Sequence, residues 1–125
     1  MKTNFTIRGG ISILNNLNEI NEQLSKHPYM INFELSLVED FESEPYWVLC
    51  LVLSDNRSLL GNRIQIKLID IRQLSTKSPN VGMCSVYQLC DVKDRQMEHI
   101  RYWFEDIEER MISCYCNSFE VTSLN

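Results

Sequence analysis

Apolar residues recur with a helical period near the N-terminus. The positions that fall on one face of segment 13–26 are Ile13, Leu14, Leu17, Ile20 and Leu24. This spacing predicts an amphipathic helix whose apolar face packs against the rest of the molecule. Glu22 precedes Lys26 by four residues, the favourable order for an ion pair along a helix, and Pro28 ends the helix.

The middle of the chain alternates between apolar and polar residues, a pattern typical of half-buried strands. The apolar members are Phe33, Leu35 and Leu37 in one segment and Ile64, Ile66 and Leu68 in another. Segment 46–53 is nearly all apolar, which predicts a central strand covered on both faces. The alternation changes phase at Ile69, which predicts a bulge or bend near Asp70. Shorter strands are predicted at 2–7 and 83–92.

Segment 95–111 has two incompatible interpretations. Apolar residues at spacings of three and four indicate a helix, and they are Met97, Ile100, Phe104, Ile107 and Met111. Alternation of Ile100, Tyr102 and Phe104 instead indicates one strand of a hairpin, with its turn at Glu108-Glu109-Arg110. That turn contains no Gly or Asn, the residues that most readily adopt positive φ. Local patterns leave both interpretations open, and segment 112–121 is a strand in either.

The length of 125 residues fits one domain, so we expect a single domain spanning 1–125. Its predicted class is α+β, with the N-terminal helix packed on a mainly antiparallel sheet of about five or six strands. No apolar run approaches the roughly 20 residues of a membrane span, and the N-terminus lacks the apolar core of a signal peptide. We therefore expect a cytoplasmic protein that does not bind membranes.

The net charge of −5 argues against a nucleic-acid partner, because phosphate binding needs clustered Lys and Arg. The five cysteines are an odd number and lie mostly in apolar runs, which predicts reduced, buried thiols. Cys114 and Cys116 face the same side of a strand, but a zinc site needs a second pair, so no metal or cofactor is predicted.

Candidate catalytic groups are weak. A thiol nucleophile needs a base, and His99, the only histidine in the C-terminal half, lies among charged residues typical of a solvated surface. Asp106 with Glu108 or Glu109 resembles an acid–base pair, although adjacent surface carboxylates are common and need no shifted pKa. We therefore predict no catalytic residues and no enzyme activity.

Two clusters of acidic residues carry aromatic neighbours. The first occupies a predicted loop at 39–45 and comprises Glu39, Asp40, Glu42 and Glu44, beside Phe41 and Tyr46. The second comprises Trp103, Glu105, Asp106, Glu108 and Glu109, beside Phe104. Negative charge steers a basic protein and a half-exposed aromatic anchors it, so both clusters are candidate partner-binding sites. A competing interpretation places the aromatics in the core and assigns the acids to solubility.

A diffuse motif connects these clusters to a known class of protein. Its residues are Arg95-Gln-Met-Glu98, Tyr102, Asp106, Glu108, Ile112, Tyr115-Cys116 and Phe119-Glu-Val121, with Trp47-Val-Leu and Arg63-Ile-Gln-Ile-Lys67 upstream. The pattern resembles small bacterial immunity proteins of toxin systems, including contact-dependent growth inhibition. The resemblance implies a cytoplasmic, non-catalytic protein that binds and neutralises a partner toxin domain, often a nuclease with a basic cleft. It also implies strands around an acidic turn, which favours the hairpin.

A second function class fits the same composition. Small acidic α+β proteins also serve as secretion chaperones or adaptors, which act as dimers and bind an extended client segment. The sequence leaves the oligomeric state open, so this alternative is separated from an immunity protein by measuring that state and by testing binding to folded and unfolded clients.

Overall fold

The computed structural model describes residues 6–9, 14–57, 61–77, 84–92 and 100–124. One helix and nine strands lie in these ranges. They are β1 (Thr6–Gly9), α1 (Leu14–Lys26), β2 (Tyr29–Asp40), β3 (Ser43–Ser54), β4 (Arg63–Ile69), β5 (Arg72–Thr76), β6 (Tyr87–Asp91), β7 (Tyr102–Asp106), β8 (Ile112–Cys116) and β9 (Ser118–Ser123).

The strands form two antiparallel sheets instead of the one that was predicted. The larger has the order β1-β9-β4-β3-β2, and the smaller has the order β5-β8-β7-β6. The α+β class is supported, but the prediction of about five or six strands was too low. The number was too low because two segments with an apparently continuous apolar pattern are each divided into two strands that lie in different sheets.

Both crossings lie side by side. β4 ends at Ile69, Asp70 adopts a positive φ of 58°, and the chain enters the second sheet as β5. β8 and β9 are separated only by Asn117, whose backbone N–H donates to the carbonyl oxygen of Ile69 at 3.0 Å. The predicted bend near Asp70 is confirmed, and the change of phase marks a change of sheet. The strand predicted at 112–121 is likewise split in two.

A single apolar core fills the space between the sheets. The first sheet contributes Leu49, Leu51, Leu53, Ile64, Ile66, Leu68, Phe119 and Val121, and the second contributes Tyr87, Leu89, Tyr102, Phe104, Ile112, Cys114 and Cys116. Rings of Tyr102 and Phe119 meet edge to face across the two layers, with centroids 4.9 Å apart. Each fully buried aliphatic side chain contributes about 1.5–3 kcal/mol to stability.

The predicted helix is confirmed from Leu14 to Lys26, and Ile13 lies outside the described residues. Its buried side chains are Leu17, Ile20 and Leu24. The expected pair forms, with Lys26 Nζ 3.2 Å from a carboxylate oxygen of Glu22, although both side chains are largely exposed and the pair contributes little. The helix contacts β6 and β1, so it covers the opening between one edge of each sheet.

The hairpin interpretation of the C-terminal segment is confirmed over its described part. Tyr102–Asp106 pairs with Ile112–Cys116, so the helix predicted through Phe104 and Ile107 is wrong there. Residues 93–99 lie outside the described part. The turn needs no glycine, because Arg110 itself adopts a positive φ of 52°.

Three other strand predictions need adjustment. The strand predicted at 2–7 appears as Thr6–Gly9, with residues 1–5 outside the described part, and the one predicted at 83–92 is Tyr87–Asp91. β3 is central in its sheet, as expected, but only its core face is sealed. On the other face Cys50 and Val52 are half-buried, because no second layer covers them among the described residues.

Candidate partner-binding surface

β2 and β3 extend beyond the rest of their sheet as a two-stranded arm. β3 pairs with β4 only from Val48 onward, whereas it pairs with β2 as far as Ser43. We call residues 35–47 the arm. Its turn is formed by Phe41 and Glu42, so the predicted loop at 39–45 is a two-residue turn between paired strands.

One face of the arm is apolar and open to solvent. Leu35, Leu37 and Trp47 are 40%, 43% and 46% exposed, and Leu37 lies directly opposite Trp47. These residues share their face with Leu49, which is completely buried. The arm therefore continues the core face of the sheet past the point where the second sheet ends. This explains why residues with a core pattern remain exposed.

The tip of the arm carries the first predicted acidic cluster. Glu39, Asp40, Glu42 and Glu44 are all exposed. The Asp40 carboxylate accepts the backbone N–H of Glu42 at 3.2 Å, which holds the turn. Phe41 stands fully exposed at the tip. The structure thus brings all four predicted acids and one predicted aromatic to a single projecting surface.

The charge of this surface is uncompensated within the arm. The sequence contains no Lys or Arg between Lys26 and Arg57, whereas four acids lie in the arm itself. At its base, a groove of about 550 Å³ is lined by Ser43, Glu44, Pro45, Tyr46, Ile69, Asp70, Arg72 and Asn117. Arg72 Nε lies 3.5 Å from Asp70 Oδ1, so the arginine in this groove already faces a carboxylate.

The second predicted cluster lies on the β7–β8 hairpin and is only partly a surface. Glu108 and Glu109 are exposed at the turn, and Glu105 is half-buried. Trp103 is also half-buried, with its ring 4.6 Å from that of Tyr115 on the neighbouring strand. Much of the Trp103 side chain is therefore covered by a contact within its own sheet.

Asp106 has a structural position instead of a surface one. It is completely buried, and its Oδ1 accepts the backbone N–H of Met111 at 2.8 Å. Burial raises the pKa of Asp106 above its ordinary value, while hydrogen bonds from the backbone of Met111, Ile112 and Arg110 oppose that rise. The carboxylate closes the turn that contains Arg110, so we leave it out of the candidate surface.

The two acidic clusters lie at opposite ends of the molecule. The β7–β8 turn adjoins Val86, whose carbonyl accepts the N–H of Ile107 at 2.7 Å. The neighbouring Ser85 bonds to Pro28, immediately before β2 begins. The arm tip lies at the far end of this 12-residue strand, which spans about 40 Å. The two clusters therefore belong to different surfaces.

Comparison with known proteins gives this surface a context. A model of the family Immunity protein PIM8 matches residues 12–122. The chain belongs to this immunity protein family. Comparisons with curated proteins and with solved structures gave no match. The resemblance to toxin-system immunity proteins is confirmed, and membership implies that the chain binds a partner toxin protein.

The cysteines of this immunity protein differ in their exposure to solvent. Cys114 and Cys116 are buried, and burial raises the pKa of Cys114 to about 12, which disfavours the nucleophilic thiolate. Cys84 is exposed and Cys50 and Cys90 are half-buried, so the prediction of buried thiols holds for two of five. Within the described residues, no group of three or more His, Cys, Asp or Glu is placed to hold a metal ion.

The candidate surface also contains residues that the sequence did not single out. Leu35 and Leu37 alternate with polar residues as core residues do, so their exposure has no signature in the local pattern. The available signal was the cluster of four acids that follows them without any Lys or Arg. In the part of the chain described, the helix of this immunity protein is too short and too polar to cross a membrane.

Proposed function

We propose that this chain neutralises its partner toxin by pressing the arm against a basic surface of the toxin domain. The observation that carries the proposal is the arm itself. It combines four exposed acids with four exposed large apolar residues and contains no Lys or Arg. An exposed apolar patch bordered by charge is typical of a protein interaction site.

Charge complementarity indicates the kind of toxin. A nuclease carries a basic cleft for its phosphate backbone, and a projecting acidic hairpin can enter that cleft and exclude the substrate. The acids accelerate association through long-range attraction, by about one to three orders of magnitude at low salt. The immunity protein therefore reaches the toxin quickly and blocks it without any chemical step.

Apolar anchors would supply most of the affinity. Aromatic residues dominate the energetics of protein interfaces when they enter a pocket on the partner. Phe41 projects from the arm tip and Trp47 lies at its base, about six residues further along the chain. Burying both rings against the toxin removes apolar surface that is open in the free protein.

The family match favours this function over a secretion chaperone. A chaperone would be a dimer and would hold an unfolded client, whereas an immunity protein would form a complex with a folded toxin domain. Measurement of the mass of that complex, and of the free chain, by light scattering separates the two functions.

The direct test is co-expression with the partner toxin domain, for which a neighbouring toxin gene is the first candidate. We expect the wild-type chain to restore growth and to co-purify with the toxin. Absence of both a complex and growth rescue would contradict the proposal.

A charge-reversed arm then tests the surface. The variant Glu39→Lys with Glu42→Lys should lose protection while keeping its urea midpoint, because both side chains are exposed. The matched control is Glu108→Lys with Glu109→Lys, which changes two exposed acids at the opposite end. Protection by the arm variant, or loss of protection in the control, would place the toxin elsewhere.

A further inference from the structure

The four edge strands of the two sheets differ in how they are protected. An open sheet edge offers unpaired N–H and C=O groups to any extended chain, and proteins usually block it. Within the described part of the chain, the edge strands are β1 and β2 in the larger sheet and β5 and β6 in the smaller. β1 has four described residues and β5 has five, so neither offers a long template within the described ranges.

The edges of β5 and β6 are blocked by specific features. Gln73 in β5 adopts a positive φ of 53°, and the register shifts between Arg72 and Ser75, which breaks the row of backbone groups. On β6, the side-chain amide of Asn21 accepts the N–H of Leu89 at 2.8 Å and donates to its C=O at 2.9 Å. Asn21 thus occupies the place of a neighbouring strand.

The edge of β2 has no comparable block. Near its start, Tyr29 bridges to Cys84 and Pro28 accepts the N–H of Ser85. Beyond this point, no strand within the described ranges pairs with its outer edge. Register shifts occur only between Met30 and Asn32 and between Val38 and Asp40. The intervening stretch of seven residues is regular, longer than a typical strand of five or six.

We propose that the outer edge of β2 receives an extended strand of the partner, so that the toxin adds a sixth strand to the larger sheet. This inference rests on the proposed function and specifies how the partner is held. Backbone hydrogen bonds along residues 32–38 would supply affinity, and the side chains on the two faces would supply specificity.

The two faces of β2 define the chemistry of that strand. Leu35 and Leu37 project to one face, where they are exposed, and Glu34 and Ser36 project to the other. An added strand places its alternate side chains beside each set. The best fit is therefore a segment in which apolar residues alternate with Lys or Arg, so that the apolar side chains cover the leucines and the cations face Glu34.

A second copy of this chain is a poor occupant of the same edge. A second copy would bring another arm with four acids and no Lys or Arg, so it would supply no cation to Glu34 or to the acids of the arm. A basic strand supplies these cations, so the charge of the arm favours a basic partner over a second copy.

The experiment uses the full chain and a synthetic peptide as probe. The peptide has blocked termini and alternates Val or Ile with Lys or Arg over the length of segment 32–38. We expect its addition to shift the backbone NMR signals of β2 while leaving those of β6 unchanged. A peptide of identical composition, with its apolar and basic residues in separate halves, should bind about tenfold more weakly, a difference of about 1.4 kcal/mol.

Backbone pairing is tested by removing N–H groups from either partner. A fully N-methylated alternating peptide should not bind. Successive N–H groups of a strand point to opposite edges of that strand. Of the two variants Leu35→Pro and Ser36→Pro, one therefore keeps all hydrogen bonds between β2 and β3 and loses only an N–H group on the outer edge of β2. The proline variant that retains its melting temperature should lose peptide binding, whereas Leu35→Ala and Ser36→Ala control for the side chains.

Three outcomes would overturn the inference. Equal binding of the two unmethylated peptides would mean that charge alone attracts them. Backbone NMR signals that shift mainly outside β2 would show that the peptide binds at another place. Self-association that is lost in the surviving proline variant would assign the edge to a second copy. Growth protection by the chain, measured separately with the toxin, would leave the proposed function intact in each case.

Discussion

The arm and the β7–β8 hairpin each join two strands through a short acidic turn, and each carries aromatic residues beside its acids. In the β7–β8 hairpin, Tyr102 and Phe104 are completely buried, and so is the turn carboxylate of Asp106. In the arm, Phe41 and the carboxylate of Asp40 are exposed. The two hairpins therefore have similar composition and opposite surroundings.

The difference comes from what lies across the core. The apolar face of the β7–β8 hairpin is covered by the larger sheet, as the contact of Tyr102 with Phe119 shows. The apolar face of the arm extends past the smaller sheet, so Leu37 and Trp47 have no covering layer among the described residues. The β7–β8 hairpin thus contributes to stability, while the arm keeps its apolar surface available for a partner.

The largest expected effect compares one phenylalanine from each hairpin. Phe104→Ala should lower the free energy of unfolding by about 3–5 kcal/mol, because it leaves a cavity in the core. Phe41→Ala should leave the urea midpoint unchanged, because the ring is exposed. Urea unfolding followed by tryptophan fluorescence measures both. A marked loss of stability in Phe41→Ala would mean that the arm is not a free surface.

Salt should distinguish the hairpins through the kinetics of toxin binding. Raising ionic strength from low to about 0.5 M should slow association by about tenfold or more, because screening removes the attraction of the arm. Replacing Glu39, Glu42 and Glu44 by Gln and Asp40 by Asn should remove most of this dependence. Stopped-flow mixing measures the rates.

The control for that measurement is Glu108→Gln with Glu109→Gln at the opposite end. It removes two exposed acids that we place outside the interface, so its salt dependence should remain close to that of the wild type. If both variants lose the dependence equally, net charge and not the position of the arm governs association.

Two turn carboxylates provide a matched test of burial. Asp106→Ala removes a buried carboxylate that accepts the N–H of half-buried Met111, and it should cost about 1–3 kcal/mol. Asp40→Ala removes a similar bond, to Glu42, that water replaces, so its midpoint should not move. Thermal unfolding of both variants at one pH compares them. Equal costs would show that burial is not what separates the two turns.

The ionisation of Asp106 should have a smaller effect, which appears in the pH dependence of the free energy of unfolding. Its pKa is raised in the folded protein, so folding disfavours the charged form. As pH rises from about 4, the ordinary value of an unfolded Asp, the wild type should lose stability relative to Asp106→Asn. The difference should level off above the folded pKa. A difference that grows in the opposite direction would mean that the three backbone hydrogen bonds outweigh burial.

Short patterns in the sequence predicted several elements because their burial follows local periodicity. Ile64, Ile66 and Leu68 alternate and are buried, and Leu17, Ile20 and Leu24 follow the helical period. In both cases the core lies on one side along the whole element. The period alone is then sufficient to assign the element and its buried face.

The remaining features depend on contacts that are distant in sequence. A change of phase at Ile69 looks the same in the sequence whether the strand has a bulge or moves to a second sheet. The hydrogen bond between Asn117 and Ile69, which are far apart in sequence, lies where both segments change sheet. The β7–β8 turn lacks glycine, yet the buried carboxylate of Asp106 stabilises it. Leu35 and Leu37 look like core residues, and only the extent of the opposite sheet leaves them exposed.

The contact between Asn21 and Leu89 has a consequence during synthesis on the ribosome. The helix emerges 68 residues before the strand whose edge it caps, so the cap is ready when β6 appears. β1, by contrast, pairs with β9, which is the last of the described strands to be translated. The nascent protein can therefore protect the edge of β6 early, whereas β1 and β9 can pair only after β9 has been translated.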